Sequence, residues 1–180
     1  GAGEGYFAVG MAQRLPDTPV LAFDLVEQCR CDTALLAETN SVELTILERC
    51  TVSSLNEHLH ENAAILMDCE GAEIELLDPK QVAALASADI IVESHSRDAI
   101  TGTLIERFEA TYDVTVIEEG GRPTLAHPDL ANLHAMQRML AVYEGRPFAM
   151  QWLYLQARRS SPSRHDRVNP TSRAHESGTG

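Results

Sequence analysis

The chain has 180 residues, 44% of them hydrophobic and 23% charged, and its formal net charge is −13. That length fits one domain with a sizeable core, and the composition is that of an ordinary globular protein. The charge is uneven, because residues 158–180 are rich in arginine while the preceding body is strongly acidic. An acidic body repels phosphate groups. We therefore expect no nucleic-acid partner.

The sequence also bears on location. It contains no apolar run as long as a membrane helix and no evident signal peptide. The four cysteines lack the paired spacing of a zinc site, which favours reduced thiols. We therefore expect a cytoplasmic protein with no membrane partner.

A glycine-rich turn opens the chain, with Gly1, Gly3 and Gly5 at alternate positions before a helical segment. Glycines permit a tight turn and the close approach of a ligand, and the following helix presents unpaired N–H groups. Asp24 ends an apolar strand about 20 residues later, a spacing typical of nucleotide-type sites in α/β proteins. A dinucleotide site requires G-x-G-x-x-G, and Tyr6 occupies the third glycine position. That disfavours a nucleotide-dependent oxidoreductase, whereas a plain strand-to-helix turn remains an alternative.

Apolar periodicity predicts strands that alternate with helices along the chain. The predicted strands are 20–24, 42–47, 63–68, 89–93, 114–117 and 150–155, and the helices are 6–15, 25–39, 53–59, one starting at 78–79, one starting near 98, and 129–143. This alternation predicts a mainly parallel sheet with helices on both faces. Residues 1–157 form the predicted domain, and the apolar-poor segment 158–180 is a predicted disordered tail.

Acidic residues end three of the predicted strands. Asp24, Asp68 and Glu93 each follow an apolar run. Ligands of open α/β sheets bind beyond the carboxyl ends of the strands. The three carboxyl groups are therefore predicted to share one site with the glycine turn.

The segment Asp68-Cys69-Glu70-Gly71-Ala72-Glu73 matches the pattern Asp-x-Glu-Gly-x-Glu. Together with residues 1–10, 22–24, 91–95 and 144–153, it resembles the FkbM-type branch of class I S-adenosylmethionine-dependent methyltransferases. The resemblance covers roughly residues 1–157. It implies a seven-stranded Rossmann-like sheet in the order 3-2-1-4-5-7-6, with helices on both faces. It also implies S-adenosylmethionine as cofactor and methyl transfer, often to a hydroxyl oxygen of a sugar or other small-molecule acceptor.

The same resemblance implies which residues hold the cofactor. Asp24 would accept hydrogen bonds from the ribose hydroxyls, and Asp68 would face the methionine end. The turn that would surround the methionine and ribose consists of Gly1, Gly3, Glu4, Gly5 and Tyr6, and the adenine would lie near Glu48 to Cys50.

The chain departs from the family pattern at its start, because the family's first strand directly precedes the glycine turn and this sequence begins at Gly1. We therefore expect an N-terminally truncated sheet. The two neighbours of the absent central strand would either lack partners on their inner edges or pair with each other. This departure also keeps open a degenerate, non-catalytic interaction domain as the alternative function.

Methyl transfer to an alcohol benefits from a general base. His95 is the predicted base, and Glu70 or Glu93 is predicted to orient it. Asp68, Glu93 and His95 could instead hold Mg²⁺ as in some O-methyltransferases. A magnesium site is therefore an alternative that is not favoured, and no residue is assigned to a metal. The sequence indicates neither the acceptor nor the oligomeric state.

Overall fold

The computed structural model describes residues 1–95, 97–118, 128–141 and 150–159, without the side chains of residues 97 and 98. Within these ranges the strands are β1 (Leu21–Phe23), β2 (Thr45–Leu47), β3 (Ala64–Met67), β4 (Asp89–Ser94), β5 (Tyr112–Glu118) and β6 (Gln151–Ala157). The helices are α1 (Tyr6–Arg14), α2 (Glu27–Thr39), α3 (Val52–His58), α4 (Glu73–Leu76), α5 (Gly102–Phe108) and α6 (Ala135–Ala141). Short 3₁₀ turns cover Ala83–Ser87 and Pro128–Leu130, and a π-helical turn at Arg97–Thr101 leads into α5.

The strands form two sheets. β1 and β2 pair in parallel, and a four-stranded sheet has the order β3-β4-β6-β5, in which β6 is antiparallel to both neighbours. In the order 3-2-1-4-5-7-6 that the resemblance implies, β2 and β1 correspond to strands 3 and 2, and β3, β4, β6 and β5 correspond to strands 4, 5, 7 and 6. Strand 1 has no counterpart among the described residues. Two outcomes were expected for the neighbours of the absent strand, and the structure shows the one in which the inner edges of β1 and β3 do not pair with each other in the described part of the chain.

The main core lies against one face of the four-stranded sheet. Side chains alternate between the faces of a strand, and Ile90, Val92, Leu153 and Leu155 point to the face where they have no exposed surface. Phe108 packs edge-on against Tyr112, with their ring centroids 4.9 Å apart. This packing fixes the strands whose carboxyl ends carry the candidate site.

The predicted helix at Asp78-Pro79 is wrong in position, because α4 comes before it and only a 3₁₀ turn follows. The Arg107 guanidinium donates hydrogen bonds to the carbonyl oxygens of Ile74 (2.7 Å) and Leu77 (2.6 Å), at the end of α4. Asp78 instead accepts a hydrogen bond from the backbone N–H of Lys80, which makes it a turn residue. The side chain of Gln81 donates to the same carboxylate and contributes most to lowering the pKa of Asp78.

Several large apolar residues of the helices are exposed. In α1 the buried side chains are the small Ala8, Val9 and Ala12 rather than those of the larger Phe7 and Leu15. In α2, Thr33 and Ala37 are buried, whereas Leu35 is 63% exposed. In α6, Met136, Met139 and Leu140 are more than half exposed. Helical spacing shows that a face is apolar but not which side a neighbour covers.

The end of the described chain is attached to the body. Arg158 forms an ion pair with Asp113 (2.8 Å), and Arg159 forms one with Asp89 (3.1 Å). The rest of the predicted tail, residues 160–180, lies outside the described residues, as do residues 119–127 and 142–149. None of the described helices has the length and apolar content needed to cross a membrane.

Candidate functional site

The glycine-rich turn adopts a backbone shape that requires glycine. Gly3 has φ of 55° and Gly5 has φ of 88°, both in the left-handed region. A Cβ atom on Gly5 would lie 2.8 Å from Cγ2 of Thr33, whereas one on Gly3 would meet no atom within 4 Å. The Thr33 hydroxyl donates to the Gly3 carbonyl oxygen at 3.1 Å. One side of the turn is therefore pinned against α2, and the Gly3 side is open.

Asp24 holds this turn against the end of β1. Its Oδ2 accepts a hydrogen bond from the Gly3 N–H at 2.9 Å, and its Oδ1 accepts one from the Val26 N–H at 2.8 Å. Each carboxylate oxygen has a further lone pair, so the half-buried group can still accept hydrogen bonds from a ligand. The predicted pairing of the glycine turn with Asp24 thus exists in the structure.

The turn also approaches the end of β3. A Cβ on Gly1 would collide with the carbonyl oxygen of Asp68. The Ala2 N–H donates to the carbonyl oxygen of Phe23 at 2.9 Å. Residues 1 and 2 therefore connect the carboxyl ends of β1 and β3, which Asp24 and Asp68 directly follow.

At the ends of β3 and β4, one imidazole faces several carboxyl groups. His95 Nε2 lies 3.1 Å from Oε2 of Glu70 and 3.3 Å from Oδ1 of Asp68. Oε2 of Glu93 is 3.5 Å from the same nitrogen. The structure therefore brings the predicted residues Asp68, Glu70, Glu93 and His95 into one group, which we call the His95 cluster.

Glu73 completes the His95 cluster, and sequence reasoning assigned it no role. Its side chain has no exposed surface, and Oε1 lies 2.8 Å from His95 Nδ1 and 3.1 Å from the Gly71 N–H. A carboxylate can only accept, so Nδ1 carries the hydrogen of this contact. Glu73 is the last acid of the Asp-x-Glu-Gly-x-Glu pattern, and its place in that pattern is the sequence feature that could have indicated its role.

The turn that carries Glu70 is strained. Glu70 has φ of 55° and Gly71 has φ of 115°. A side chain other than glycine rarely adopts positive φ, and such strain is concentrated at functional sites. This turn places the exposed carboxylate of Glu70 over the buried imidazole.

The remaining predicted residues are less constrained. Glu4, Tyr6 and Glu48 are exposed, and Cys50 is half-buried against the core. Burial raises the pKa of the Cys50 thiol. Burial, followed by the charge of Glu73, raises the pKa of Cys69 to about 11, so this thiol stays protonated at neutral pH. Neither thiol is suited to act as a nucleophile.

These features fit S-adenosylmethionine in two respects. The open left-handed backbone at Gly3 lets a ligand approach where a Cβ would project, and Asp24 offers acceptor lone pairs beside it. From there Gly1 lies against Asp68, which belongs to the His95 cluster. A cofactor with a hydroxyl-bearing ribose at one end and a reactive centre at the other suits this layout.

Comparison with known proteins gives matches in structure only. No family model matches the chain, and no curated protein matches it. Precorrin-6y C5,15-methyltransferase from Geobacter metallireducens is 14% identical, with a TM-score of 0.60 over 87% of this chain and 77% of that one. The O-methyltransferase from Bacillus cereus in complex with SAH is 13% identical, with a TM-score of 0.58 over 87% and 71%. An rRNA methylase from Streptococcus thermophilus is 13% identical, with a TM-score of 0.54 over 87% and 82%.

These similarities establish the fold. The chain has the Rossmann-like fold of class I S-adenosylmethionine-dependent methyltransferases, as the strand order predicted. The B. cereus neighbour with SAH shows that the fold accommodates such a cofactor. The FkbM-type branch is not shown, and the neighbours' names lend Mg²⁺ no support.

The expectation of a small-molecule acceptor with nucleic acid excluded is wrong. The neighbours include an rRNA methylase, so this fold serves proteins that act on nucleic acid. The expectation rested on net charge, which describes the whole surface. Binding of a substrate depends on the local surface around the site, which an overall acidic charge does not determine.

Proposed function

We propose that this protein is an S-adenosylmethionine-dependent methyltransferase of the EC 2.1.1 type that methylates a hydroxyl oxygen. The observation that carries the proposal is the series of contacts from Asp24 through the glycine turn to Asp68. The glycine turn is hydrogen-bonded to Asp24 at one end, and at the other end Gly1 lies against Asp68 of the His95 cluster. A cofactor subsite and a proton-accepting group therefore adjoin each other. Reduced cysteines favour a reducing compartment such as the cytoplasm.

In this proposal the cofactor supplies a methyl group activated by a positively charged sulfur. The open turn surrounds its methionine and ribose, Asp24 accepts hydrogen bonds from the ribose hydroxyls, and Asp68 faces the methionine end. The turn comprises Gly1, Gly3, Glu4, Gly5 and Tyr6, and Glu48 and Cys50 flank the adenine.

His95 is the proposed base. Glu73 accepts the Nδ1 hydrogen, which in the neutral ring leaves the lone pair on Nε2. Nε2 then takes the proton of the acceptor hydroxyl, while Glu70 and Glu93 orient the ring and the acceptor. Such a base contributes about 10²- to 10⁴-fold to the rate. Much of the remainder comes from holding the acceptor in line.

Calorimetric titration with S-adenosylmethionine tests the cofactor part of the proposal. Wild-type protein is expected to bind, and Asp24→Asn is expected to bind at least ~10-fold more weakly because a ribose acceptor is lost. Asp17→Asn, which alters an exposed acid before β1, is the control and should bind as wild type does. A folded wild-type protein that does not bind would contradict the proposal and favour a non-catalytic domain.

Transfer of a labelled methyl group tests the chemistry. The acceptor panel should include structured RNA as well as free hydroxyl compounds, because substrates of both kinds carry hydroxyl oxygens. With any acceptor found, His95→Ala should lower kcat by about 10²- to 10⁴-fold with little change in cofactor affinity. His60→Ala changes an exposed histidine and serves as control. Equal loss of cofactor binding in His95→Ala would argue against the base role.

A further inference from the structure

The His95 cluster has an imbalance of charge. In the described part of the chain, the carboxyl groups of Asp68, Glu70 and Glu73 form ion pairs with His95 only. One imidazolium can neutralise one carboxylate at most. Glu73 has no exposed surface, and the His95 side chain is 9% exposed. Glu73 takes up the charge of that imidazolium, so Asp68 and the exposed Glu70 would attract a further cation.

The orientation of the imidazole is a second, independent observation. Although His95 Nε2 is buried and lies 3.1 to 3.5 Å from three carboxylate oxygens, it makes no hydrogen bond within the described residues. Oδ1 of Asp68 is likewise buried without a hydrogen bond there. Buried polar atoms are normally paired. His95 Nε2 and Asp68 Oδ1 lie 3.3 Å apart, and both are therefore available to bind a ligand between them.

The distances match those between neighbouring ligands of one metal ion. Bonds of about 2.0–2.2 Å at octahedral or tetrahedral angles place donor atoms roughly 3.0–3.5 Å apart. Donor atoms of Asp68, Glu93 and His95 all lie within 4.8 Å of one another. We propose that Asp68, Glu93 and His95 bind one divalent transition-metal ion.

The donor set indicates which metals fit. Imidazole nitrogen suits Zn²⁺, Fe²⁺ or Co²⁺ and, together with carboxylates, also Mn²⁺, whereas Mg²⁺ prefers oxygen ligands alone. The buried Glu73 accepts the hydrogen of the other ring nitrogen, as outer-shell carboxylates do at histidine-ligated metals. That contact fixes the ring so that Nε2 is the ligand atom.

The proposal is independent of methyl transfer, since it concerns binding of a cation by the protein alone. A cation on Nε2 uses the lone pair that a proton would take. The base role of His95 therefore belongs to the cation-free form.

Titration of the full chain with Zn²⁺ or Mn²⁺ alone, without S-adenosylmethionine, tests the site. Wild-type protein is expected to bind one ion, and His95→Ala is expected to bind at least ~100-fold more weakly. His60→Ala should bind as wild type does. Absence of one-to-one binding by wild type, or unchanged affinity in His95→Ala, would overturn the proposal.

A second measurement keeps the test decisive if His95→Ala fails to fold. Pulsed electron paramagnetic resonance of Mn²⁺-loaded wild type should show coupling to a directly bonded imidazole nitrogen. Asp68→Asn should weaken Mn²⁺ binding at least ~10-fold, and the exposed Asp17→Asn should not. Absence of nitrogen coupling, or displacement of Mn²⁺ by an equal concentration of Mg²⁺, would contradict a mixed nitrogen and oxygen site.

Discussion

The four-stranded and two-stranded sheets differ in how completely they are packed. Ile90, Val92, Leu153 and Leu155 of the larger sheet have no exposed surface. In the smaller sheet only Ala22 is buried, and every residue of β2 is exposed or half-buried. The His95 cluster lies at the end of the larger sheet, whereas the glycine turn is hydrogen-bonded to the smaller one. The proposed chemistry thus rests on the well-packed half and cofactor binding on the thinly packed half.

This difference has a thermodynamic consequence. Regions with few buried apolar contacts open at lower free energy than the core. The turn that would hold the cofactor belongs to such a region, so a ligand that bridges Asp24 and Asp68 would stabilise the weaker half. The predictions below test whether the two halves differ as their packing suggests.

The largest difference is expected from paired leucine truncations. Leu153→Ala removes a fully buried side chain of β6 and should lower the free energy of unfolding by about 2–5 kcal/mol. Leu47→Ala in the half-buried β2 should cost only about 1 kcal/mol. Urea denaturation measures both. Equal losses would show that the smaller sheet is packed as firmly as the larger one.

A smaller effect is expected from Tyr112, the first residue of β5 in the larger sheet. Burial, followed by the charge of Asp89, raises the pKa of Tyr112 to about 12. Unfolded tyrosine has a pKa of about 10, so above that pH the unfolded state loses the proton first and becomes favoured. The free energy of unfolding should fall by about 2–3 kcal/mol as the pH rises from about 10 to 12.

Tyr112→Phe is the matched control for this pH effect. The Tyr112 hydroxyl makes no hydrogen bond with the described residues, so the substitution should change stability at pH 7 by less than about 1 kcal/mol. The variant should also lose less stability than wild type between about pH 10 and 12. Parallel stability curves for the two proteins would show that the hydroxyl is solvated.

The smallest effect concerns the close approach of Gly5 to Thr33 in the thinner half. Gly5→Ala combines positive φ with a close approach to Thr33 and should cost about 2 kcal/mol. Gly3→Ala has positive φ but open space and should cost about 1 kcal/mol. Thermal unfolding distinguishes the two variants. If Gly3→Ala proved the more costly, the turn would not be pinned against α2 as described.

Local sequence features predicted much of this architecture. Apolar runs located all six strands of the described chain to within a few residues, because strands buried on one or both faces have a distinctive composition. Burial of helix residues could not be predicted in the same way. Phe7 and Leu35 have helical spacing but are exposed, because burial depends on which neighbour packs against the helix. The helix predicted at Asp78 was misplaced, because Asp78 accepts hydrogen bonds from Lys80 and Gln81 in a turn.

The sequence alone determined the order of strands and helices along the chain, the glycine turn and the acids that end the strands, since each depends on residues close together in the chain. The tertiary structure decided what these groups face. Packing of β3 beside β4 brings the Asp-x-Glu-Gly-x-Glu turn to His95, and only then does Glu73 orient the imidazole. Separation of β1 from β3 was likewise a tertiary outcome, because strand pairing depends on hydrogen bonds between segments that spacing along one chain does not specify.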